Sequence, residues 1–296
     1  MQIEKFESLT QKVQYSKLYR LPMWLIRKIK HHKVDATNEH TVDMRMGHKI
    51  CLYPTQRYLK NTLVSSQYHD ENIFLAKQFL KPNPVIIDIG ANIGLYTCAY
   101  AQHFKDLNPV IFAFEAVDTN YNLLMKNIGI NHFKNIHAFH VALGEAPGFL
   151  EFSLPSADFV GNATGNNVAE TAESTSGMVV KKVKLDTLDN LASQNSITRC
   201  DFIKVDIEGA ELFLFKGAKS FINKTRPVIQ FEYNKYWLER NSICLKDFAE
   251  IFLPLNYSFY IEEKDHFLKI EDVNNYTVTH GLVDFLIVPN EKSVVI

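Results

Sequence analysis

Cysteine is scarce in this sequence, and none of it is paired. The four cysteines are Cys51, Cys98, Cys200 and Cys244, and no two of them form a CxxC motif. This spacing excludes a disulfide framework and a cysteine-ligated zinc site of the usual kind. Scattered thiols favour a reducing compartment, so the expected location is cytoplasmic.

Long apolar runs, excess positive charge and histidine metal motifs are missing too. No apolar stretch approaches the ~20 residues that cross a bilayer, and the polar N-terminus lacks the apolar core of a signal peptide. The 32 basic and 33 acidic residues give a formal net charge of -1, which argues against a nucleic-acid partner. The 11 histidines form no HxH or HExxH pattern, so no histidine metal site is predicted.

Strand-like and helix-like segments alternate from residue 84 onwards. Apolar residues make up 46% of the chain, enough for a sizeable core. The sequence predicts strands over 85–89, 110–114, 136–141, 202–205, 228–231, 257–261 and 283–288, and helices over 94–104, 119–130, 210–222 and 248–253. Such alternation predicts a doubly wound, mostly parallel α/β sheet covered on both faces.

Residues 1–60 are expected to form an N-terminal helical and hairpin extension, and residues 61–296 the α/β domain. Within the extension, residues 15–33 place leucines and isoleucines on one helical face beside a cluster of basic side chains. This basic amphipathic pattern fits a helix docked on its own domain, a homodimer contact, or peripheral contact with the inner face of an anionic membrane. The sequence leaves all three open.

Two hairpins and one short helix are predicted outside the alternating core. One hairpin spans 41–54, and a helix follows over 70–80. The second hairpin pairs 149–152 with 179–185 around a Ser-, Thr- and Gly-rich loop at 153–177. Loops of this length in a compact domain are usually functional or disordered.

The sharpest local signal is a glycine-bracketed turn after the first strand of the core. Asp88 ends a buried strand, and Gly90 and Gly94 then enclose a tight turn in which Asn92 tolerates a left-handed conformation. Glu115 ends the next strand, where an acidic side chain can accept hydrogen bonds from both ribose hydroxyls of a nucleoside. The pattern predicts a nucleoside cofactor at the switch point of the sheet.

Two cofactors compete for this turn. A dinucleotide requires GxGxxG, so that backbone amides can hold a pyrophosphate. Here the spacing is GxxxG, and Asp88 would repel a pyrophosphate but suits the cationic groups of S-adenosylmethionine. We therefore expect S-adenosylmethionine, with NAD as the alternative.

A set of ordered motifs resembles the FkbM family of methyltransferases over about residues 70–235. The motifs are Asp88-Ile-Gly-Ala-Asn-Ile-Gly94, Glu115, Ala142-Leu-Gly144, Leu185-Asp186, Lys204-Val-Asp-Ile-Glu-Gly-Ala-Glu211 and Phe231-Glu232. The resemblance implies a class I methyltransferase fold, a seven-stranded sheet in the order 3-2-1-4-5-7-6 with an antiparallel last strand. It also implies O-methylation of a sugar or a polyketide-type natural product. One departure is Ala116, where the family usually has proline after the ribose-binding glutamate.

The resemblance also implies roles for individual residues. Residues expected to line the methionine end of the cofactor are Asp88, Gly90, Ala91, Asn92 and Gly94. Glu115, followed by Ala116, is expected to hold the ribose, and Val141 and Ala142 to flank the adenine. Asp206 is expected to face the methionine end or the acceptor.

Candidates for the catalytic base stand at the ends of the fourth and fifth core strands. Lys204 and Asp206 share one face of their strand, and Glu232 ends the next strand. The alternative for Lys204 is a structural ion pair, and Glu211 is expected to favour the positive end of the following helix. Asp206 and Glu232 could also hold a divalent ion, but two carboxylates are too few to predict a metal.

These patterns together predict an S-adenosylmethionine-dependent O-methyltransferase that acts on a hydroxyl of a sugar, a glycan or a small-molecule natural product. Because a hydroxyl is a poor nucleophile at neutral pH, a positioned carboxylate should assist by ~10²–10⁴-fold. The alternatives are an NAD(P)-dependent oxidoreductase on a related fold and a catalytically silent, membrane-associated scaffold of a glycan pathway.

Overall fold

The computed structural model describes residues 38–55, 57–154, 179–263, 266–292 and 294. The amphipathic segment at 15–33 lies outside these residues, as does most of the loop predicted at 153–177. Among the helices of the described part, none is both long and apolar enough to cross a membrane.

The described chain begins with the first predicted hairpin. Strand β1 (His40–Asp43) pairs antiparallel with β2 (Lys49–Leu52). The helices that follow are α1 (Arg57–Ser65), α2 (Asp70–Lys77), α3 (Leu95–His103), α4 (Asp118–Ile130), α5 (Leu188–Gln194), α6 (Glu211–Lys216), α7 (Lys219–Thr225), α8 (Lys235–Arg240) and α9 (Leu245–Phe252). A 3₁₀ turn covers Lys105–Leu107.

The other strands form one large and one small sheet. Their bounds are β3 (Val85–Ile89), β4 (Val110–Glu115), β5 (Ile136–His140), β6 (Ala142–Leu143), β7 (Gly148–Leu154), β8 (Val179–Asp186), β9 (Phe202–Val205), β10 (Val228–Asn234), β11 (Tyr257–Glu263), β12 (His266–Lys269) and β13 (Leu282–Pro289). The large sheet has eight strands in the order β12-β11-β13-β10-β9-β3-β4-β5, and the small sheet has the order β6-β8-β7.

The large sheet has the strand order of a class I methyltransferase. Strands β3, β4, β5, β9 and β10 are parallel, and β13 runs antiparallel between β10 and β11. Counted along the chain, seven of the strands follow the expected order 3-2-1-4-5-7-6. The fold class is confirmed, but the expected strand count of seven was wrong, because β12 adds an eighth strand at the edge. β12 lies in the stretch that the sequence suggested was only a polar connection.

Core packing follows from the apolar strands, which are buried on both faces. Every residue of β3 is buried, and its side chains alternate between two hydrophobic clusters. Ile87 and Ile89 pack with α5, α6, α7 and α9 on one face, and Ile86 packs with α2 and α3 on the other. The order reverses between β3 and β9, so their carboxyl ends open the crevice where such sheets bind ligands.

The helix predicted over 210–222 is in fact two helices, α6 and α7, separated at Gly217. The carbonyl of Gly217 accepts from the Asp189 amide at 3.1 Å, and the Asp189 carboxylate accepts from the amides of Ser220 and Phe221. These tertiary hydrogen bonds satisfy the groups that a continuous helix would have paired internally. The helix therefore ends and restarts.

The small sheet confirms the second predicted hairpin and adds one strand. β7 and β8 pair antiparallel, with Phe149 opposite Lys184, and β6 joins β8 in parallel. The strand β6 had no separate signal, because Ala142 and Leu143 follow β5 almost without interruption. This sheet carries Ala142 and Leu150 to the edge of the crevice.

The hairpin at the start of the described chain packs on α4 through two asparagines. Asn127 accepts from the Cys51 amide at 2.6 Å and donates to the carbonyls of Cys51 and Ile93. Asn131, one turn later, exchanges two hydrogen bonds of 2.7 Å with the backbone of Lys49. The assignment of residues 1–60 and 61–296 to separate units stays a prediction.

Candidate active site

A cavity with about 900 Å³ of empty space, part of it open to solvent, lies at the carboxyl ends of β3, β4 and β9. It collects residues from the turn after β3, the end of β4, the small sheet and the turn after β9. Its lining residues are Tyr58, Tyr68, Ile89, Gly90, Ala91, Asn92, Leu95, Tyr96, Phe114, Glu115, Ala116, Val117, Asn120, Val141, Ala142, Leu143, Leu150, Asp206, Ile207, Glu208 and Ala210. Most of the residues assigned to the cofactor by sequence are in this set.

The turn after β3 approaches the neighbouring strand end very closely. Gly90 has φ +80°, and a Cβ placed there would lie 1.9 Å from the carbonyl oxygen of Asp206. Asn92 adopts φ 53° in the middle of the turn, as the sequence predicted. A residue with a side chain at position 90 would push the two strand ends apart, so the shape of the cavity depends on this glycine.

Glu115 closes the turn from the other side and is buried. Its carboxylate accepts hydrogen bonds from the amides of Asn92 and Val117, each at 2.8 Å, and from the Asn120 side chain at 3.4 Å. Burial raises the pKa of Glu115 to about 7, against the lowering effect of these donors. The carboxylate therefore lies in the cavity wall with its orientation fixed, as expected for a group that holds a ribose.

Asp88 and Gly94 support the turn from outside the cavity. Asp88 is 1% exposed and accepts a hydrogen bond from the Thr97 hydroxyl at the start of α3. Burial raises its pKa to about 6, partly offset by Thr97 and Lys204. Gly94, at φ +89°, precedes α3 and packs against Leu124. Neither residue is in the cavity lining, so the structure gives both a supporting position rather than the direct contact expected from sequence.

The apolar end of the cavity is formed by Val141 and Ala142, together with Val117, Leu143 and Leu150. Val141 and Ala142 are 5% and 7% exposed, and together the five side chains give this end of the cavity an apolar surface suited to a flat heteroaromatic ring. Leu150 comes from β7, a residue for which the sequence gave no functional signal. Ala116 lines the same region directly after Glu115.

Three carboxylates meet at the opposite end. Oxygens of Asp206, Glu208 and Glu232 lie within 4.8 Å of one another. Asp206 and Glu208 line the cavity, while Glu232, on β10, is beside them and outside the lining. Burial and the charge of Asp206 raise the pKa of Glu232 above its usual range. Glu208 had no signal in the sequence for a place in this group.

Lys204 supplies the counter-charge for this group. It is 2% exposed, its Nζ lies 3.8 Å from the Asp284 carboxylate, and it stands over the Tyr96 ring at 5.4 Å. Burial alone would lower its pKa, but attraction to Asp284, Asp206 and Glu232 outweighs that and raises it. A lysine held in its protonated form has no lone pair with which to act as a base. Asp284 faces Glu232 across the β10–β13 pairing and had no signal in the sequence.

Glu211, the last residue of the Lys204–Glu211 motif, stabilises the turn rather than the ligand. Its carboxylate accepts from the amides of Ile207 and Gly209 at 3.3 and 3.1 Å, and burial raises its pKa to about 7. In this way it fixes Glu208, at φ 53°, and Gly209, at φ +102°, in left-handed conformations. Glu211 was expected to favour the positive end of the following helix, and it also holds the turn that presents Asp206 and Glu208.

The residues present fit S-adenosylmethionine. The strand order β9-β3-β4-β5 places the acidic end after β9, the Glu115 carboxylate at the end of β4 and the apolar end beyond β5, which is the order of the cationic methionine, ribose and adenine groups. The acidic end also opposes a pyrophosphate, which disfavours a dinucleotide. The three clustered carboxylates are also a donor set that a divalent cation can bind, although the buried ammonium of Lys204 offsets part of their charge.

Comparison with known proteins agrees with this fit. Among curated proteins, the chain is 30% identical over 166 residues to methyltransferase sdnD of Sordaria araneosa, covering 47% of this chain and 61% of sdnD. It is 26% identical over 183 residues to the 2-O-methyltransferase NoeI of Sinorhizobium fredii, covering 58% of this chain and 72% of NoeI. It is 23% identical over 227 residues to AmbE, the AMB antimetabolite synthetase of Pseudomonas aeruginosa, covering 66% of this chain but 10% of that protein. The chain therefore spans less than two thirds of sdnD and only a tenth of AmbE.

A solved structure and a family profile also match this chain. A crystal structure of a methyltransferase FkbM from Methylobacillus flagellatus has 13% identity and a TM-score of 0.45, covering 90% of this chain and 58% of that one. The profile described as "Methyltransferase FkbM domain" matches residues 88–270, well over half of the chain. This protein therefore belongs to the FkbM family of S-adenosylmethionine-dependent methyltransferases.

Proposed function

We propose that the protein transfers a methyl group from S-adenosylmethionine to a hydroxyl oxygen of a sugar, a glycan or a related natural product. The observation that carries the proposal is the carboxylate group formed by Asp206, Glu208 and Glu232 at the acidic end of the cofactor cavity. A hydroxyl acceptor needs a base, whereas a thiolate or an amine that is already deprotonated does not.

Different residues of this chain bind the cofactor and accept the proton. When bound, S-adenosylmethionine supplies a methyl carbon activated by its positive sulfonium. Glu115 orients the nucleoside, and the turn at Gly90–Asn92 places the methionine end. Glu232, whose carboxylate lies within 4.8 Å of the cavity-lining carboxylates of Asp206 and Glu208, takes the proton that leaves the acceptor hydroxyl. Burial beside Asp206 raises its pKa and so strengthens its affinity for that proton. The rest of the rate enhancement comes from holding the acceptor oxygen in line with the methyl carbon.

Lys204 acts on the base rather than on the substrate in this proposal. Its ammonium lies 3.8 Å from the Asp284 carboxylate and, being protonated, cannot accept a proton from the substrate. It limits the repulsion among the carboxylates, so that Glu232 can still ionise in the working range of pH. We therefore assign the base to Glu232, with Asp206 as an acceptor-positioning carboxylate.

The named relatives are consistent with an oxygen acceptor. NoeI is described as a 2-O-methyltransferase, and sdnD as a methyltransferase. The glycine spacing and the family match leave no support for the alternative of an NAD(P)-dependent oxidoreductase. A silent scaffold would not need the intact cluster of half-buried carboxylates formed by Asp206, Glu208 and Glu232.

Two measurements test the proposal. Calorimetry should detect binding of S-adenosylhomocysteine but not of NAD, and the wild-type protein should methylate a hydroxyl of a saccharide or polyol. The variants Glu232→Gln and Asp206→Asn should both lower kcat by at least tenfold, and Glu232→Gln, which changes a residue outside the cavity lining, should leave the affinity for S-adenosylhomocysteine within twofold. Wild-type turnover by both variants would remove the carboxylates from the chemistry, and binding of NAD alone would remove the proposal.

A further inference from the structure

Three tyrosines form a continuous wall beside the acidic end of the cavity. Tyr58, Tyr68 and Tyr96 all line it. The ring centroids of Tyr58 and Tyr68 are 5.9 Å apart with an interplanar angle of 51°, and those of Tyr68 and Tyr96 are 5.4 Å apart at 70°. The three rings therefore form a corner rather than a flat platform.

Each end of this tyrosine wall is fixed by a neighbouring group. The hydroxyl of Tyr58 accepts a hydrogen bond of 3.2 Å from the side chain of Asn92 in the cofactor turn. The hydroxyl of Tyr96 accepts one of 3.0 Å from Asn72, and its ring lies under the ammonium of Lys204. The wall is thus tied to the cofactor turn on one side and to the buried lysine on the other.

We infer that Tyr58, Tyr68 and Tyr96 form the acceptor-binding wall and that the group they bind is a pyranose ring. This inference rests on the proposed function. Two features of the wall favour a saccharide over a flat aromatic acceptor. No two of the paired rings are parallel, so they cannot sandwich a planar ring, whereas a corner of aromatic faces fits the puckered, C–H-bearing faces of a sugar. The carboxylates of Asp206 and Glu208 stand at the same end and can accept hydrogen bonds from several hydroxyls at once.

An apolar acceptor fits the same corner poorly. Covering Asp206 and Glu208 with an alkyl chain would remove water from two carboxylates without returning hydrogen bonds, which is unfavourable. A polyol replaces that water with its own donors. The acidic end and the aromatic wall together therefore select a ring that is apolar on its faces and polar at its edge.

Two of the three tyrosines stand outside the family match. Tyr58 lies on α1 and Tyr68 in the segment before α2, whereas the match begins at residue 88. The segment that supplies these two tyrosines therefore lies outside the cofactor-binding motifs in the sequence. Acceptor selectivity can change at Tyr68 while the hydrogen bond between Tyr58 and Asn92 of the cofactor turn is kept.

The experiment compares variants of Tyr68, the central ring, with a matched control. The probes are a panel of methyl pyranosides, catechol as a planar hydroxyl acceptor and 1-octanol as an apolar one. Formation of S-adenosylhomocysteine gives the KM for each acceptor, and calorimetry gives the affinity for S-adenosylmethionine. Tyr68→Ala should raise the KM of the best pyranoside at least tenfold with cofactor affinity within twofold, and Tyr68→Phe should keep the KM within threefold. Tyr53→Ala, a partly buried tyrosine of the same segment outside the cavity lining, should match the wild type.

The outcomes separate this inference from the proposed function. Methylation of catechol or 1-octanol but of no pyranoside overturns the saccharide wall and leaves the O-methyltransferase proposal standing. If no probe is methylated, saturation-transfer NMR on the protein loaded with S-adenosylhomocysteine decides, because absence of contact with every pyranoside also overturns the inference. Equal effects of Tyr68→Ala and Tyr53→Ala would show a loss of stability instead of a binding role. Failure to bind S-adenosylmethionine would remove the proposed function itself.

Discussion

Affinity for the cofactor should rise with pH because Glu115 is buried before the cofactor binds. Its pKa in the free protein is raised from 4.5 to about 7, so near pH 5.5 the carboxyl is protonated. Two ribose hydroxyls that donate to the carboxylate favour the charged form and return the pKa towards its ordinary value. Binding therefore releases a proton below about pH 7, and affinity increases with pH until the free protein is itself ionised.

The size of the effect follows from the shift. For a pKa that falls from about 7 to about 4.5 on binding, affinity for S-adenosylhomocysteine should increase about 30-fold between roughly pH 5.5 and roughly pH 8, or about 2 kcal/mol. Calorimetry across this range, in buffers of different ionisation enthalpy, measures both the affinity and the number of protons released. In Glu115→Gln the amide cannot titrate, so binding should be weaker by ~1–3 kcal/mol and show a much flatter pH profile.

Two results would refute this reasoning. A flat affinity profile in the wild type would show that Glu115 is already ionised in the free protein. An unchanged profile in Glu115→Gln would assign the proton to another buried carboxyl, such as Asp88, with a pKa of about 6, or Glu211, with a pKa of about 7.

Four further predictions concern the turn, the charge balance, metals and the N-terminal segment. Gly90→Ala should weaken binding of S-adenosylhomocysteine at least tenfold, because the new methyl group meets a backbone oxygen. The control Gly129→Ala, whose methyl group meets nothing within 4 Å, should bind normally in the same titration. Lys204→Met should lower the free energy of unfolding by ~3–5 kcal/mol near neutral pH, as followed by denaturant unfolding. The loss should be smaller at acidic pH, where Glu232, whose pKa is raised, is protonated. Exhaustive dialysis against EDTA should leave the methylation rate unchanged, and recovery of a lost rate by Mg²⁺ would contradict this. Residues 15–33 should either bind anionic vesicles in a salt-sensitive way in sedimentation assays or hold a dimer that deletion of residues 1–33 disrupts. Both ideas would be excluded if the deletion variant stayed soluble with unaltered assembly and the full chain bound no lipid.

The central sheet could be predicted because its information is local. Five apolar runs marked the parallel strands to within a few residues, and the turn at Gly90–Gly94 marked the switch point. Glu115, Asp206 and Glu232 were found because strand ends converge at one edge of such a sheet. Their mutual distances were not predictable, because these depend on how far the neighbouring strands extend.

Other parts of the site depend on tertiary contacts that leave no periodic trace. Tyr58 and Tyr68 stand in a segment with no motif, and only the folded chain brings them against the cofactor turn. Asp284 reads as a polar interruption of a late strand until its pairing opposite Glu232 is known. The break at Gly217 was missed for the same kind of reason, since the side chain that restarts the helix, Asp189, is about 30 residues away.

The hydrogen bonds of Asn127 have a consequence for how this protein can be rebuilt. One side chain joins the backbone of β2 to the carbonyl of Ile93, which lies inside the cofactor turn. A chimaera that exchanged the N-terminal hairpin with that of a relative would leave this buried amide without its two partners on β2 unless the incoming strand offered the same backbone groups. Grafting a new acceptor segment onto this enzyme should therefore keep residues 38–55 in place and begin at α1, where the tyrosine wall starts.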